Sequence, residues 1–252
     1  MGKIPRDEII RFIEPRIHTF HESRLQNLLK LELDKILKRK NPYLFKAKNI
    51  TTAHDLIKSL LDSHLSSQEE GIFGGFLEEL ARFICGKVFK GKKSSAEGID
   101  LEFEKDGVQY IVSIKSGPNW GNSQQIARMK ENFIKAKRIS GTNILKVKVV
   151  AICGCCYGRD NRPDKGVYLK LCGQNFWEFI SGDEYLYLDI IEPLGYKAKE
   201  KNEEFHIEYN RVINKFTRDF SNIFCDSEGN ILWEKLVGFN SGKKPSKYKT
   251  LK

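Results

Sequence analysis

Residues 98–117 read GIDLEFEKDGVQYIVSIKSG, and their alternation decides the fold. Asp100, Glu102 and Glu104 alternate with Leu101 and Phe103, the period-two pattern of a strand with one wet face. Lys105-Asp106-Gly107 supplies turn chemistry, because Asp and Gly tolerate the backbone angles that a tight reversal needs. Beyond it, Tyr110, Val112 and Ile114 fall on one side of a second strand, and Ile111, Ser113 and Lys115 on the other. Two strands joined by so short a turn bring Asp100 and Lys115 to the same edge of one sheet.

Upstream of this pair the apolar spacing is helical over the first ~95 residues. Leu25, Leu28, Leu29, Leu33, Ile36 and Leu37 form one stripe, stopped at Asn41-Pro42 because proline cannot continue a helix. Thr52 is placed to cap a second helix through Leu56, Ile57, Leu60 and Leu61. A third, GGFLEELARFICG, puts Phe76, Leu80, Phe83 and Ile84 on one face; at 100° per residue this leaves Glu79 on the flank and turns Glu78 away. Downstream, a polar loop GPNWGNSQQ leads to a helix marked by Ile126, Met129, Phe133 and Ile134. A buried strand around Val147–Ile152, a basic loop, the strand VYLKLCG and the short helix QNFWEFIS follow. A last long helix carries Phe205, Tyr209, Val212, Ile213, Phe216 and Phe220. The expected fold is α/β, a small central mixed sheet flanked by helices with a helical N-terminal part. The expected organisation is a helical region over residues 1–95, a core over 96–240 and a basic tail over 241–252 that includes Lys243, Lys244, Lys247, Lys249 and Lys252. The pattern does not fix the order of the strands.

A chain of 252 residues with 30% charged and 40% hydrophobic residues can bury a core without metals or disulfides, and it is not a disordered chain. No apolar run approaches the roughly 20 residues of a membrane span, and the N-terminus lacks a secretory apolar segment, so a cytoplasmic protein is expected. Lys and Arg number 43 against 33 acids, a net charge of +10 that points to polyanions without separating DNA from RNA. The cysteines of ICGCCYG have no zinc-knuckle spacing, and their strand context makes them small apolar residues.

Asp100 and Lys115 carry the chemistry. A carboxylate is a hard oxygen ligand suited to Mg²⁺, which keeps several waters and binds phosphate oxygens. A lysine beside it can orient or deprotonate an attacking water, or neutralise charge on a phosphate. Phosphodiester hydrolysis requires this combination, whereas a surface ion pair across a hairpin would use the same two residues for nothing more.

The spacing Asp…Ser113-x-Lys115 resembles the PD-(D/E)XK nuclease signature, with Ser113 where an acid is usual and Gly98-Ile99 where proline precedes the aspartate. The longer run, GIDLEFEKDG followed by SIKSGPNWGNSQQ, is similar to a group of type II restriction endonucleases that cut RGGNCCY or related GGNCC-centred sites and carry serine-x-lysine. Asn41-Pro42 with Phe45, FGGFLEE, GQNFWEFISG and DSEGNILWEKL have counterparts there in the same order, over roughly residues 40–240. The resemblance implies a Mg²⁺-dependent endonuclease on double-stranded DNA that leaves 5′-phosphate and 3′-hydroxyl ends. It implies metal ligation by Asp100 and the Ile114 carbonyl, water activation by Lys115, and Ser113 placing water or a metal-bound group. Near-palindromic sites imply a homodimer, because a two-fold axis presents two equal sites to two strands.

A serine leaves the site one carboxylate short. Helix-borne glutamates complete the metal site in many nucleases of this fold, which makes Glu79 the expected second acid, with Glu102 its rival. Asn119, Trp120, Asn122, Gln124 and Gln125 follow Lys115 as candidate DNA contacts, since amides pair with adenine edges; Trp120 fits equally as a cap on the core. Arg159, Arg162 and Lys165 are a candidate phosphate or guanine patch, or a solvated loop. Two other functions fit the same residues, a repair or recombination nuclease that reads junction shape and a non-catalytic DNA-binding protein.

Overall fold

The computed structural model describes residues 3–141 and 148–243; the tail lysines from Lys244 onward lie outside them. In chain order the elements are α1 (Arg6–Leu29), α2 (Leu33–Arg39), α3 (Pro42–Ala47), α4 (Ala53–Phe89), β1 (Leu101–Lys105), β2 (Val108–Lys115), α5 (Ser123–Gly141), β3 (Lys148–Cys155), β4 (Leu169–Cys172), α6 (Gln174–Ser181), α7 (Leu186–Asp189), α8 (Ile191–Leu194), α9 (Ala198–Phe224) and α10 (Trp233–Ser241). The expected α/β class holds: a helical N-terminal part precedes a four-stranded mixed sheet with flanking helices. Among the described residues, no helix is long and apolar enough to cross a membrane.

Strand order is β1-β2-β3-β4, with β1 antiparallel to β2 and the other pairs parallel. Asp106 and Gly107 take φ of 53° and 73°, as a type I′ turn requires, so the β1–β2 connection is the tight hairpin expected from its residues. Helix α5 provides the crossover that parallel strands β2 and β3 need.

The chain divides into two compact units. The first, Met1–Ile17 with Ile72–Tyr196, contains the whole sheet. One face of the sheet, through Leu101, Phe103, Val112, Ile114 and Ile152, is buried with Phe76, Leu80 and Ile84 of α4 and Phe176, Trp177 and Ile180 of α6. The other face, through Ile111, Ala151, Cys153 and Cys155, packs with Met129, Phe133 and Ala136 of α5. A fully buried phenylalanine such as Phe133 contributes about 1.5–3 kcal/mol by leaving water. The second unit, His18–Gly71 with Lys197–Lys252, has its own core of Leu56, Ile57, Leu60 and Leu61 against Ile213, Phe216, Phe220 and Phe224.

Two helix readings need correction. The stripe from Leu25 to Leu37 is not one helix. The Leu31 amide donates to the Leu28 carbonyl at 3.2 Å, tightening the last turn of α1, and Glu32 is extended before α2 begins. Conversely, the second and third helices are the single 37-residue α4. Thr52 caps it as expected, accepting the Asp55 amide at 3.1 Å while its hydroxyl donates to the Asp55 carboxylate at 2.7 Å. Gly71, Gly74 and Gly75 lie inside that helix. Each costs about 1 kcal/mol relative to alanine, which burial of Phe76 and Leu77 just beyond them offsets.

Candidate active site

Asp100 sits just ahead of β1, and its amide donates to the Val112 carbonyl at 2.9 Å. The hairpin register therefore sets it beside Ser113. Asp100 Oδ2 accepts the Ile114 amide at 2.7 Å and the Ser113 hydroxyl at 3.4 Å, while among the described residues no hydrogen bond reaches Oδ1. Ser113 is only 1% exposed, so its hydroxyl braces the carboxylate and has no opening to bulk water. Alternate residues of a strand direct their backbone groups to the same neighbour. The Ile114 carbonyl therefore shares with its amide the side from which Asp100 reaches.

Lys115 ends β2, half-buried, with its Nζ 5.0 Å from the centroid of the Trp120 ring. Trp120 in turn is partly buried and packs on the core between the sheet and α5. No carboxylate pairs with the Lys115 ammonium among the described residues. Its charge remains available, held by the ring rather than neutralised.

The acid whose charge Asp100 feels lies on the face of α4 that the apolar spacing turns toward solvent. Helix α4 passes so close to the end of β2 that a Cβ on Gly74 would lie 2.6 Å from the Ser116 hydroxyl. Glu78 is one turn further along the same row. Burial and the neighbouring Asp100 charge raise its carboxyl above the ordinary range, against the opposing charges of Arg82, Lys115 and Lys93. Glu79 instead points to α1, where its carboxylate pairs with Arg16 at 3.2 Å. The Glu79 side chain is 52% exposed and that of Glu78 34%. Glu102, the rival, is occupied with the Ser94 hydroxyl at 3.0 Å and Lys92 at 3.3 Å. The apolar spacing alone does not place Glu78 here, although Gly74, a glycine in mid-helix four residues earlier, marks the face that meets the Ser116 side chain.

A model of the family described as type II restriction endonuclease EcoO109I matches residues 7–202. The chain belongs to that family. It is thereby a member of the type II, site-specific deoxyribonucleases, and DNA is the substrate that the family implies. Among curated proteins, none matches the chain.

In this EcoO109I-family chain the candidate DNA contacts separate into bound and free groups. Asn122 and Gln125 cap α5 reciprocally, each side-chain oxygen accepting the other's amide at 3.0 Å, so the Asn122 carbonyl is committed. Lys165 pairs with Asp160 at 3.1 Å, and Lys170 joins the same carboxylate at 3.3 Å while donating to the Pro118 carbonyl at 2.9 Å. Asp160 is held below the usual carboxylate range by the Arg162 amide and by both lysines. Lys165 is thus an internal strut, because its charge is already met. Asn119, Gln124, Arg159 and Arg162 are exposed, with no partner for their side chains among the described residues. Cys153, Cys155, Cys156 and Cys172 are buried and free. Burial pushes the Cys156 thiol up, and the hydrogen bond with Cys153, reinforced by burial, pushes Cys155 up, which suits thiols packed in a buried strand.

Proposed function

We propose that the chain is a Mg²⁺-dependent endonuclease that hydrolyses both strands of a specific duplex sequence, a GGNCC-centred pseudopalindrome by resemblance, as a homodimer in the cytoplasm. The observation that carries this reading is Asp100, with Oδ1 left open, set against Glu78 and Lys115 at one sheet edge. The donor set fits Mg²⁺. Two carboxylates and a backbone carbonyl are hard oxygen ligands, and no larger cluster of metal-ligating side chains occurs among the described residues. Magnesium typically takes only one or two carboxylates and completes its shell with water and substrate phosphate. Asp100, Glu78 and the Ile114 carbonyl would hold the ion, which supplies charge to the phosphoryl oxygens when bound.

The chain's own groups do the rest. Ser113 and the Ile114 amide fix the Asp100 carboxylate. Lys115 places its ammonium where charge builds on the scissile phosphate and orients the attacking water. Water attacks phosphorus and the 3′ oxygen leaves, so the products are a 5′-phosphate and a 3′-hydroxyl. The helical N-terminal region and the +10 charge suit dimer formation and contacts along the DNA backbone. Family membership favours this reading over a junction-specific nuclease.

Incubating the purified protein with plasmid and Mg²⁺ tests the proposal. Discrete bands are expected; binding without cleavage, or cleavage of branched junctions alone, would overturn it. Asp100→Asn is expected to lose cleavage and to weaken Mg²⁺ binding at least tenfold in calorimetry with uncleaved DNA, since a neutral amide is a poorer ligand. Unchanged metal affinity would remove Asp100 from the ligand set.

A further inference from the structure

The loops after β2 and β3 nest by means of two glycines. A Cβ on Gly117 would lie 2.3 Å from the Tyr157 ring, and one on Gly158, whose φ is +88°, would lie 2.6 Å from the Pro118 ring. The Cys156 amide donates to the Lys115 carbonyl at 2.9 Å and the Tyr157 amide to Ser116 at 3.0 Å, so the shelf is bonded directly to the catalytic strand. Beyond it opens a cleft of about 600 Å³ whose lining includes Tyr157, Arg159, Asn161 and Asn175. Tyr157 is 60% exposed. Arg159, Asn161 and Asn175 are exposed too, and their side chains have no partner among the described residues.

We propose that Arg159, Asn161 and Asn175 are specificity-determining residues that read base edges of the DNA beside the scissile phosphate, with Tyr157 packed against the adjoining nucleotide. The inference rests on the nuclease reading above. Three features favour bases over phosphates as the ligands. The groups converge on one concavity, whereas Asn119, Gln124 and Arg162 do not line it. Two of the three are amides, whose carbonyls need donors; phosphate oxygens offer none, but base edges present donors and acceptors together. The distance also suits. Arg159 lies four residues beyond Cys155, the ladder partner of Lys115. At about 3.4 Å per residue and about 4.8 Å between strands, it is at most about 18 Å from Lys115, or roughly five base-pair steps. The rigid shelf keeps the ordering cost of such contacts low.

The test uses the full chain. Fragment-end sequencing of wild-type digests first gives the cut sequence. Binding in Ca²⁺ is then measured for a duplex carrying it and a duplex with it scrambled. Arg159→Ala, an exposed change that leaves the core untouched, is expected to lose about tenfold or more on the specific duplex and little on the scrambled one, the scale of one lost bidentate base contact. Asn161→Ala is expected to broaden the fragment ends at a defined base position. Equal loss on both duplexes would make Arg159 a phosphate contact and overturn the proposal, as would unchanged discrimination by both variants. Absence of discrete ends from the wild type would instead overturn the nuclease reading, and this inference with it.

Discussion

Lys115→Ala is expected to lower the single-turnover rate of DNA cleavage by about 10³-fold, the upper range for loss of one positioned electrostatic group. DNA affinity is expected to change by no more than about twofold, because the lysine serves charge that develops only in the transition state. The geometry explains why this cation is available. Its Nζ lies 5.0 Å from the Trp120 ring centroid, whereas Lys165 and Lys170 have already given their charges to Asp160. Lys115→Arg is expected not to restore the rate, since a guanidinium is planar, more delocalised and unable to give up a proton. Rapid-quench measurement at saturating enzyme reads the chemical step directly. An alanine variant that cuts at a comparable rate would dismiss Lys115 from catalysis and return it to a cap on Trp120.

The hairpin that holds this lysine was legible in the sequence because its signals are local. Period-two alternation, Asp106-Gly107 and the register they impose put Asp100 and Ser113 together without reference to anything distant. The buried cysteine strand was legible for the same reason. The pairing of charges was not. Arg128 with Glu97, and Arg16 with Glu79, join residues whose proximity only the packed chain creates. The phase of α4 failed for a subtler cause. Its apolar face was centred on Phe76, Leu80, Phe83 and Ile84, yet Phe83 is only half-buried and stacks on Phe12. Leu77, Ala81 and Cys85 are buried instead. At 100° per residue this rotates the centre of the buried face by about 60° toward Glu78 and away from Glu79.

That rotation sets the second large expectation. Glu78→Gln should depress the single-turnover rate by about 10²-fold or more, because the amide keeps the shape but removes the charge that faces Asp100. Glu79→Gln should stay within about threefold of the wild type, since an exposed pair with Arg16 is worth little. Stability provides an independent reading in EDTA. Burial and the Asp100 charge raise the Glu78 carboxyl, so the folded chain binds that proton more tightly than the unfolded chain does. The stability this group contributes is complete below the ordinary carboxylate range and is lost as pH rises through the elevated value. At pH 8 the ionised Glu78 therefore opposes folding, and Glu78→Gln should melt higher than the wild type, with the gain shrinking as pH falls toward 4. Loss of activity together with a gain in metal-free stability is the signature of an acid kept for its ligand rather than for the fold. A silent Glu78→Gln beside a damaging Glu79→Gln would restore the original helix phase and take Glu78 out of the site.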